Sequence, residues 1–301
     1  MADKKMLFIY NPKAGKAQIR SHLSDILEVF VRAGYEMTVY PTQKTGDATE
    51  LTACRKSVYD MIVCSGGDGT LDEVVTGMIK SSAMTPIGYI PAGSTNDFGG
   101  SLHLPKNMVQ AAEEIVNGSN FPCDVGVFNE DIFVYIAAFG LFTDVSYETT
   151  QDMKNILGHM AYLLEGMKRL SAIRSYHMKV AHDGGVIEDE FMFGMITNSE
   201  SVGGFKRITG PNVQLDDGVF EVTLIKRPRT AMELNEIMVC LMNRVIDTRA
   251  IHCFKTSRLS VESEESIAWT LDGEYGGSHR QVMIENKCKA VEIRVKKPEN
   301  Y

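Results

Sequence analysis

The sequence predicts an α/β protein: an N-terminal doubly wound parallel-sheet domain followed by a C-terminal, largely antiparallel β-sandwich domain. Three observations predict it. From Met6 to Ile90, short apolar runs alternate with helical periodicities, the rhythm that builds a parallel sheet covered on both faces. Three of those runs end in polar, glycine-bearing loops. After about Asp124 the texture changes to short strands joined by turns such as Asp183-Gly184 and Asp217-Gly218.

The elements follow in order. Met6–Tyr10 is a compact apolar run ended by Asn11-Pro12, a strand-then-loop signal. Ile19, Leu23, Ile26, Leu27 and Phe30 recur at helical spacing, so an amphipathic helix is expected from Ile19 to about Arg32. Met37–Tyr40 reads as a second strand and Asp47 to about Lys56 as a second helix. Tyr59–Cys64 is a third strand with a glycine loop directly behind it, and Leu71, Val74, Val75 and Met78 mark the next helix. Pro86–Ile90 is a fourth strand, closed by Pro91-Ala92-Gly93-Ser94. Beyond Asp124, strands are expected at 132–139, 177–181, 187–197, 219–225, 251–256, 268–271 and 281–285, with helices over about 152–171 and 231–247. The closing run 290–296 alternates Val291, Ile293 and Val295 and suits either domain.

Bulk properties narrow the function. With 301 residues the chain has room for two cores, and 44% hydrophobic and 23% charged residues are ordinary for a folded protein. A net charge of -8 with no long basic run argues against nucleic acid as a partner. The basic clusters Lys168/Arg169/Arg174, Lys206/Arg207 and Lys226/Arg227/Arg229 read as solvated surface, with anionic lipid head groups as the alternative. The six cysteines form no CxxC pair, so neither zinc nor a disulfide framework is indicated; Cys64, Cys123 and Cys240 sit among apolar neighbours and read as buried thiols. Met1–Lys5 leads into a short apolar run unlike a signal peptide, which predicts a cytoplasmic protein. No run approaches the ~18 apolar residues of a membrane span.

Ser65-Gly66-Gly67-Asp68-Gly69-Thr70 leaves a buried strand and opens a helix at Leu71. Glycines let a backbone approach phosphate closely, and a helix N-terminus supplies free N–H groups. The loop is neither GxxxxGK[ST] nor GxGxxG. Asp68 is its unusual member, since a carboxylate among phosphates repels them unless a cation or a donor stands between. The bland alternative is a strained turn with an Asp cap. Asn11-Pro12-Lys13-Ala14-Gly15-Lys16 and Gly93-Ser94-Thr95-Asn96-Asp97-Phe98 follow the first and fourth strands, at the sheet edge where open α/β sheets bind ligands. Each alone is an Asx-type turn. Together the three form a constellation suited to a nucleotide.

Asn11-Pro12-x-x-Gly15, Gly66-Gly67-Asp68-Gly69-Thr70 and Gly93-Ser94-Thr95-Asn96-Asp97-Phe98 occur in the order of the diacylglycerol kinase catalytic domain, and the chain resembles that family. Asp124-Val125-Gly126, Leu215-Asp216-Asp217-Gly218 and Leu271-Asp272-Gly273-Glu274-Tyr275-Gly276-Gly277 extend the resemblance over nearly the whole length, closest to the soluble bacterial diacylglycerol kinases and their YegS-type relatives. Where that family usually carries threonine after the third-loop glycine, this chain has Ser94, so either Ser94 or Thr95 makes the nucleotide contact.

The resemblance implies an ATP-dependent lipid kinase that phosphorylates a primary hydroxyl, with diacylglycerol the favoured acceptor and phosphatidic acid the product. It implies that Asn11, Pro12, Lys13, Ala14, Gly15, Thr42, Gly66, Gly67, Asp68, Gly69, Thr70, Leu71, Asp72, Ser94, Thr95 and Asn96 line the ATP site. Asp68, Asp97 and Asp124 would hold Mg2+ around the phosphates, directly or through water; Asp217 with the carbonyls of Gln214 and Val219 would hold a second, structural Mg2+. Glu274 would be the general base, with Asp272 the alternative two positions away. The family fold implies an α/β domain over 1–124 plus 290–301, a β-rich lipid-substrate domain over 125–289, and an active site in the cleft between them. The lipid would be met at the membrane surface by peripheral contact, and a homodimer is compatible with this reading. The stripe Met153, Ile156, Leu157, Met160, Leu163, Leu164 and Met167, beside Lys154, Lys168 and Arg169, fits either a core helix or a membrane-docking one. Two alternatives remain. NAD kinases share Gly66–Thr70, but not Asp272–Gly277 as a catalytic element. A catalytically silent nucleotide- or lipid-binding relative would keep the fold, yet no motif carboxylate is missing here.

Overall fold

The structure, a computed structural model, describes residues 4–55, 58–140, 173–202, 205–206, 212–243 and 249–297. The helix expected near 152–171, with its apolar stripe and basic residues, lies outside the described residues. The chain divides into two compact units, one running to Asp124 and resuming at Lys289, the other Val125–Cys288.

The first unit is a parallel sheet with helices. Strands β1 (Lys4–Tyr10), β2 (Tyr35–Pro41), β3 (Met61–Gly66) and β4 (Ile87–Pro91) lie in the order β2-β1-β3-β4, every pair parallel. Helix α1 (Ile19–Arg32) occupies the span its periodicity predicts and buries Ile19, Ile26 and Phe30. They pack with Met6 and Phe8 of β1, Val63 of β3, and Ala111, Ala112 and Ile115 of α5 (Met108–Asn117). Burying side chains of this size stabilises by about 1.5–3 kcal/mol each. Helices α2 (Asp47–Cys54) and α3 (Asp68–Ser81) pack on each other, and α3 on β3. The short α4 (Asp97–Ser101) follows β4. The sequence reading had no counterpart for α5, although Asn107 caps it by accepting hydrogen bonds from the N–H groups of Val109 (3.0 Å) and Gln110 (3.1 Å).

The second unit is antiparallel. Its strands are the end of β5 (Ser119–Phe128), β6 (Asp131–Phe133), β7 (Ile136–Gly140), β8 (Tyr176–His182), β9 (Gly185–Thr197), β12 (Phe220–Lys226), β13 (Ile251–Thr256), β14 (Arg258–Leu271) and the start of β15 (Glu274–Val295). A separate two-stranded ribbon, β10 (Ser201–Val202) with β11 (Phe205–Lys206), precedes β12. The long strands β9 and β14 each pair with β7 through one end and with β8 through the other. Inside lies an aromatic core in which Trp269 packs between Phe128 and Phe139 at ring centroid distances of 5.1 and 4.8 Å. Helix α6 (Ala231–Asn243) links β12 to β13.

Several expected boundaries shift. Residues 132–139 form two strands rather than one, because the chain turns at Val134-Tyr135 onto the Asp272 carboxylate. Residues 268–271 are only the end of β14, and 281–285 and 290–296 belong to one continuous strand, β15. Its last part pairs parallel with β4 at Ile293–Ile87, so the chain end completes the first unit's sheet. Cys240, expected to be buried, is partly exposed, whereas Cys64 and Cys123 are buried.

Asp183 ties the β8–β9 turn to the β13–β14 turn. Its Oδ2 accepts from Ser257 N (2.7 Å), Ser257 Oγ (2.8 Å) and Thr256 Oγ1 (3.0 Å). The backbone hydrogen bond from Ser257, then the two hydroxyls, lower its pKa from 3.8 to about 2. A carboxylate held below its unfolded value stabilises the fold above that value and ceases to do so as pH falls through the folded one. Melting temperatures of the wild type and Asp183→Asn should therefore differ at neutral pH, the wild type higher, and converge between pH 3.8 and about 2. Curves that stay parallel through that window would remove the role.

Candidate functional site

The three loops are laced together at the carboxyl edge of the parallel sheet. Asn11 N donates to Ser65 O (2.8 Å), Ala92 N to Gly66 O (2.7 Å), and Thr42 N to Tyr10 O (2.9 Å), so the exits of β2, β1, β3 and β4 form one row. The loops behind them touch. A Cβ at Gly15 would stand 2.4 Å from Ala92 O, and its φ of +53° is itself costly for other residues. A Cβ at Gly93 would stand 2.6 Å from the Gly67 Cα, so the second and third loops approach backbone to backbone. Beside them, Ser94, Thr95 and Asn96 line a cavity of about 250 Å³ with Leu104, Lys106 and Met108.

The structure corrects the expected helix start. Ser65 and Gly66 end β3, Gly67 caps, and α3 begins at Asp68 rather than Leu71. Asp68, Gly69 and Thr70 thus form the first helical turn. Thr70 N and Leu71 N bond Gly67 O, while the N–H groups of Asp68 and Gly69 belong to the open end of the helix. A carboxylate at this position is favoured by the helix dipole. Asp68 Oδ2 accepts from Asp97 N at 3.2 Å, which brings the first turn of α4 against that of α3. The third loop is braced by Asn96, whose Oδ1 accepts from Gly93 N and whose Nδ2 donates to Gly93 O, both at 2.9 Å. The Tyr89 hydroxyl lies 3.3 Å from both Gly66 O and Asn96 Oδ1. Burial, then the Asp68 charge, hold its pKa well above the ordinary tyrosine value, so it stays a donor to these oxygens.

Two carboxylates to which the sequence assigned no role organise the Thr42 loop. Glu73 of α3 accepts from Gly46 N (2.8 Å) and Ala48 N (3.1 Å), fastening the start of α2 to the helix that Asp68 opens. Asp47 Oδ2 accepts from Gln43 N (2.7 Å) and Lys44 N (3.1 Å). Those bonds, the Gln43 one foremost, lower the Asp47 pKa. Thr42 thus sits at the head of a loop fixed at both ends.

Asn11 to Gly15, Thr42, Gly66 to Asp72 and Ser94 to Asp97 therefore share one sheet edge. Asp124 lies on β5, fully buried, with Oδ1 accepting from Lys289 N at 2.7 Å. Among the described residues, no three of His, Cys, Asp or Glu come together as a metal cage. Glu274 is exposed at the start of β15 in the second unit, opposite Leu271. Asp272 and Gly273 make the two-residue turn between them, with φ of +51° and +89°, as an Asp-Gly hairpin requires. The Asp272 side chain is buried and accepts from Val134 N (2.5 Å), Tyr135 N (3.0 Å) and Ile136 N (2.9 Å).

Asp217 is engaged differently from the expected metal ligand. Lys255 Nζ stands 3.1 Å from Asp217 Oδ2 and 3.0 Å from Glu221 Oε1. Val219 presents its N–H, 3.2 Å from Asp217 Oδ1. Burial raises the Glu221 carboxyl to about 7 against the pull of Lys255. A divalent ion does not fit this donor set while the ammonium holds it. Nor are the cations at 226–229 a bare patch: Lys226 pairs with Asp189 (2.9 Å) and Arg227 with Glu190 (3.2 Å).

Comparisons with known proteins show the family and the fold. The diacylglycerol kinase catalytic domain model matches residues 5–128, and the YegS C-terminal NAD kinase beta sandwich-like domain model matches residues 138–295. The diacylglycerol kinase of Bacillus subtilis (strain 168) is 35% identical over 278 residues, covering 91% of each chain. That of Staphylococcus saprophyticus is 34% identical over 303 residues, covering 96% of this chain and 98% of the relative. The crystal structure of a diacylglycerol kinase from Bacillus anthracis str. Sterne superposes with a TM-score of 0.82 at 28% identity, covering 98% of each chain. From motif order, fold and relatives together, the chain belongs to the diacylglycerol kinase catalytic domain family of lipid kinases.

Proposed function

We propose that this protein transfers the γ-phosphoryl group of Mg·ATP to the primary hydroxyl of diacylglycerol, giving phosphatidic acid and ADP. The observation that carries the reading is the contact of three glycine-bearing loops at one sheet edge, with the open end of α3 among them. Backbone N–H groups and the Ser94 and Thr95 hydroxyls suit phosphate oxygens, and Lys13 and Lys16, both exposed, add positive charge. Asp68, whose Oδ2 accepts from the backbone N–H of Asp97 at 3.2 Å, and Asp97 itself would hold the Mg2+ that arrives with the nucleotide. Asp124 belongs to the same expectation, at one step remove. Bound there, the ion would supply charge neutralisation on the phosphates.

In the transfer itself, Glu274 takes the proton of the lipid hydroxyl as its oxygen attacks the γ-phosphorus. The bond from phosphorus to the bridging oxygen breaks, and ADP keeps the electron pair. Among the described residues no helix is long and apolar enough to cross a membrane. In this reading a cytoplasmic enzyme meets its lipid by peripheral contact.

The deciding experiment incubates the protein with γ-labelled ATP, Mg2+ and diacylglycerol in mixed micelles, then extracts with organic solvent. Label should enter the organic phase as phosphatidic acid. Label in NADP after incubation with NAD, or no transfer at all, overturns the reading; a parallel panel of ceramide, sphingoid base and monoacylglycerol ranks the acceptors.

A further inference from the structure

We infer that the second unit fills its own cation site with a tethered ammonium, that of Lys255, where the family resemblance places a structural divalent ion. Strands β12 and β13 set Glu221 directly opposite Lys255. The Lys255 side chain runs over Glu221 and ends among three oxygens: Glu221 Oε1 at 3.0 Å, Asp217 Oδ2 at 3.1 Å and Asn212 O at 3.1 Å. An ammonium has three donors and no acceptor; two of them hydrogen-bond Asp217 Oδ2 and Asn212 O, and Glu221 Oε1 stands at ion-pair distance.

The surroundings are built for a permanent occupant. The Glu221 side chain is 5% exposed and is withdrawn from water, so it needs a counter-charge at hand, while those of Asp217 and Lys255 keep 20% and 40% exposure. Asp217 spends its other oxygen on Val219 N at 3.2 Å. That hydrogen bond holds one Asp217 oxygen on the backbone while Lys255 holds the other. Gly218, with φ of +79°, makes the turn that aims this N–H back at its neighbour. Magnesium, by contrast, asks for six oxygens in an octahedron at ~2.0–2.1 Å. A lysine delivered by the chain meets the same electrostatic need without depending on the free ion concentration.

Melting curves of the intact protein test this without ATP or lipid, so the outcome is separable from the kinase assay. The wild type should melt at the same temperature with EDTA and with millimolar MgCl2, apart from any shift that Asp217→Asn shows equally. Lys255→Met leaves two carboxylates facing each other and should melt about 5–10 °C lower. Part of that loss should return on adding MgCl2 or CaCl2, because the vacated oxygens then take an ion. Three results would overturn the inference: a wild-type gain with Mg2+ that disappears in Asp217→Asn, a Lys255→Met protein that melts like wild type, or one that ignores both ions. If Lys255→Met does not fold, the comparison of wild type with Asp217→Asn still decides.

Discussion

Replacing Asp68 with alanine should abolish phosphoryl transfer, lowering kcat by about 1,000-fold or more at saturating Mg·ATP. Phosphoryl transfer leaves little covalent work to the protein; its catalysis is positioning plus electrostatics, and a single such group is commonly worth about 100- to 1,000-fold. Asp68 combines two tasks. It opens α3, where the phosphates are expected, and its Oδ2 holds Asp97 N at 3.2 Å, fixing the second carboxylate. Asp68→Asn separates them, because the amide oxygen still accepts from Asp97 N while the charge is gone. Both variants should be inactive with melting temperatures near wild type. An active Asp68→Asn would reduce Asp68 to a brace for α4, and an active Asp68→Ala would remove it from the site.

Glu274→Gln should cut kcat by about 100- to 10,000-fold, the usual range for general-base assistance, while calorimetry shows ATP binding unchanged. The neighbouring acid supplies the control. Asp272 spends its carboxylate on three backbone N–H groups of Val134, Tyr135 and Ile136. Buried bonds to a charged acceptor are worth about 1.5–3 kcal/mol, so Asp272→Asn should show mainly as lower stability, since its amide turns donors toward donors. Glu274, exposed at the first position of β15, carries no such duty. Should Glu274→Gln turn over normally while a folded Asp272→Asn is dead, the base is Asp272.

How much of this was legible depended on how local each cause is. Helix α1 could be read residue for residue, because its apolar stripe is its reason to exist. The three loops were legible because three polar, glycine-bearing turns follow three parallel strands, a grouping that no single turn announces. Strand β15 was not, since Asn286-Lys287-Cys288-Lys289 is a polar, largely exposed stretch held in line by backbone pairing, with no side-chain pattern to announce it. The first half of β14 hid behind Glu262–Glu265 for the same reason, and a register shift there breaks the alternation. Helix α5 was overlooked because two of its four buried positions are alanines, whose apolar signal is faint. Glu73 escaped because its partners lie 25 and 27 residues upstream, and Lys255 because Asp217 lies 38 residues away. Carboxylates that serve remote backbone amides leave no periodicity behind.

Synthesis on the ribosome delivers β4 some two hundred residues before its outer neighbour, since Ile87 pairs with Ile293. Until then the first sheet has an open edge of apolar β-strand, the kind that recruits stray strands. The late segment also brings Arg294, whose guanidinium donates to Ile115 O (2.8 Å), Val116 O (3.4 Å) and Gly118 O (2.6 Å) at the end of α5. Contacts this distant in sequence must pay their loop-closure entropy before they yield stability, which slows folding. A nascent chain stalled before Lys289 would thus display a helix without its cap and a strand without its neighbour, whatever state the second unit has reached. Chaperone demand and proteolytic sensitivity during translation should concentrate there.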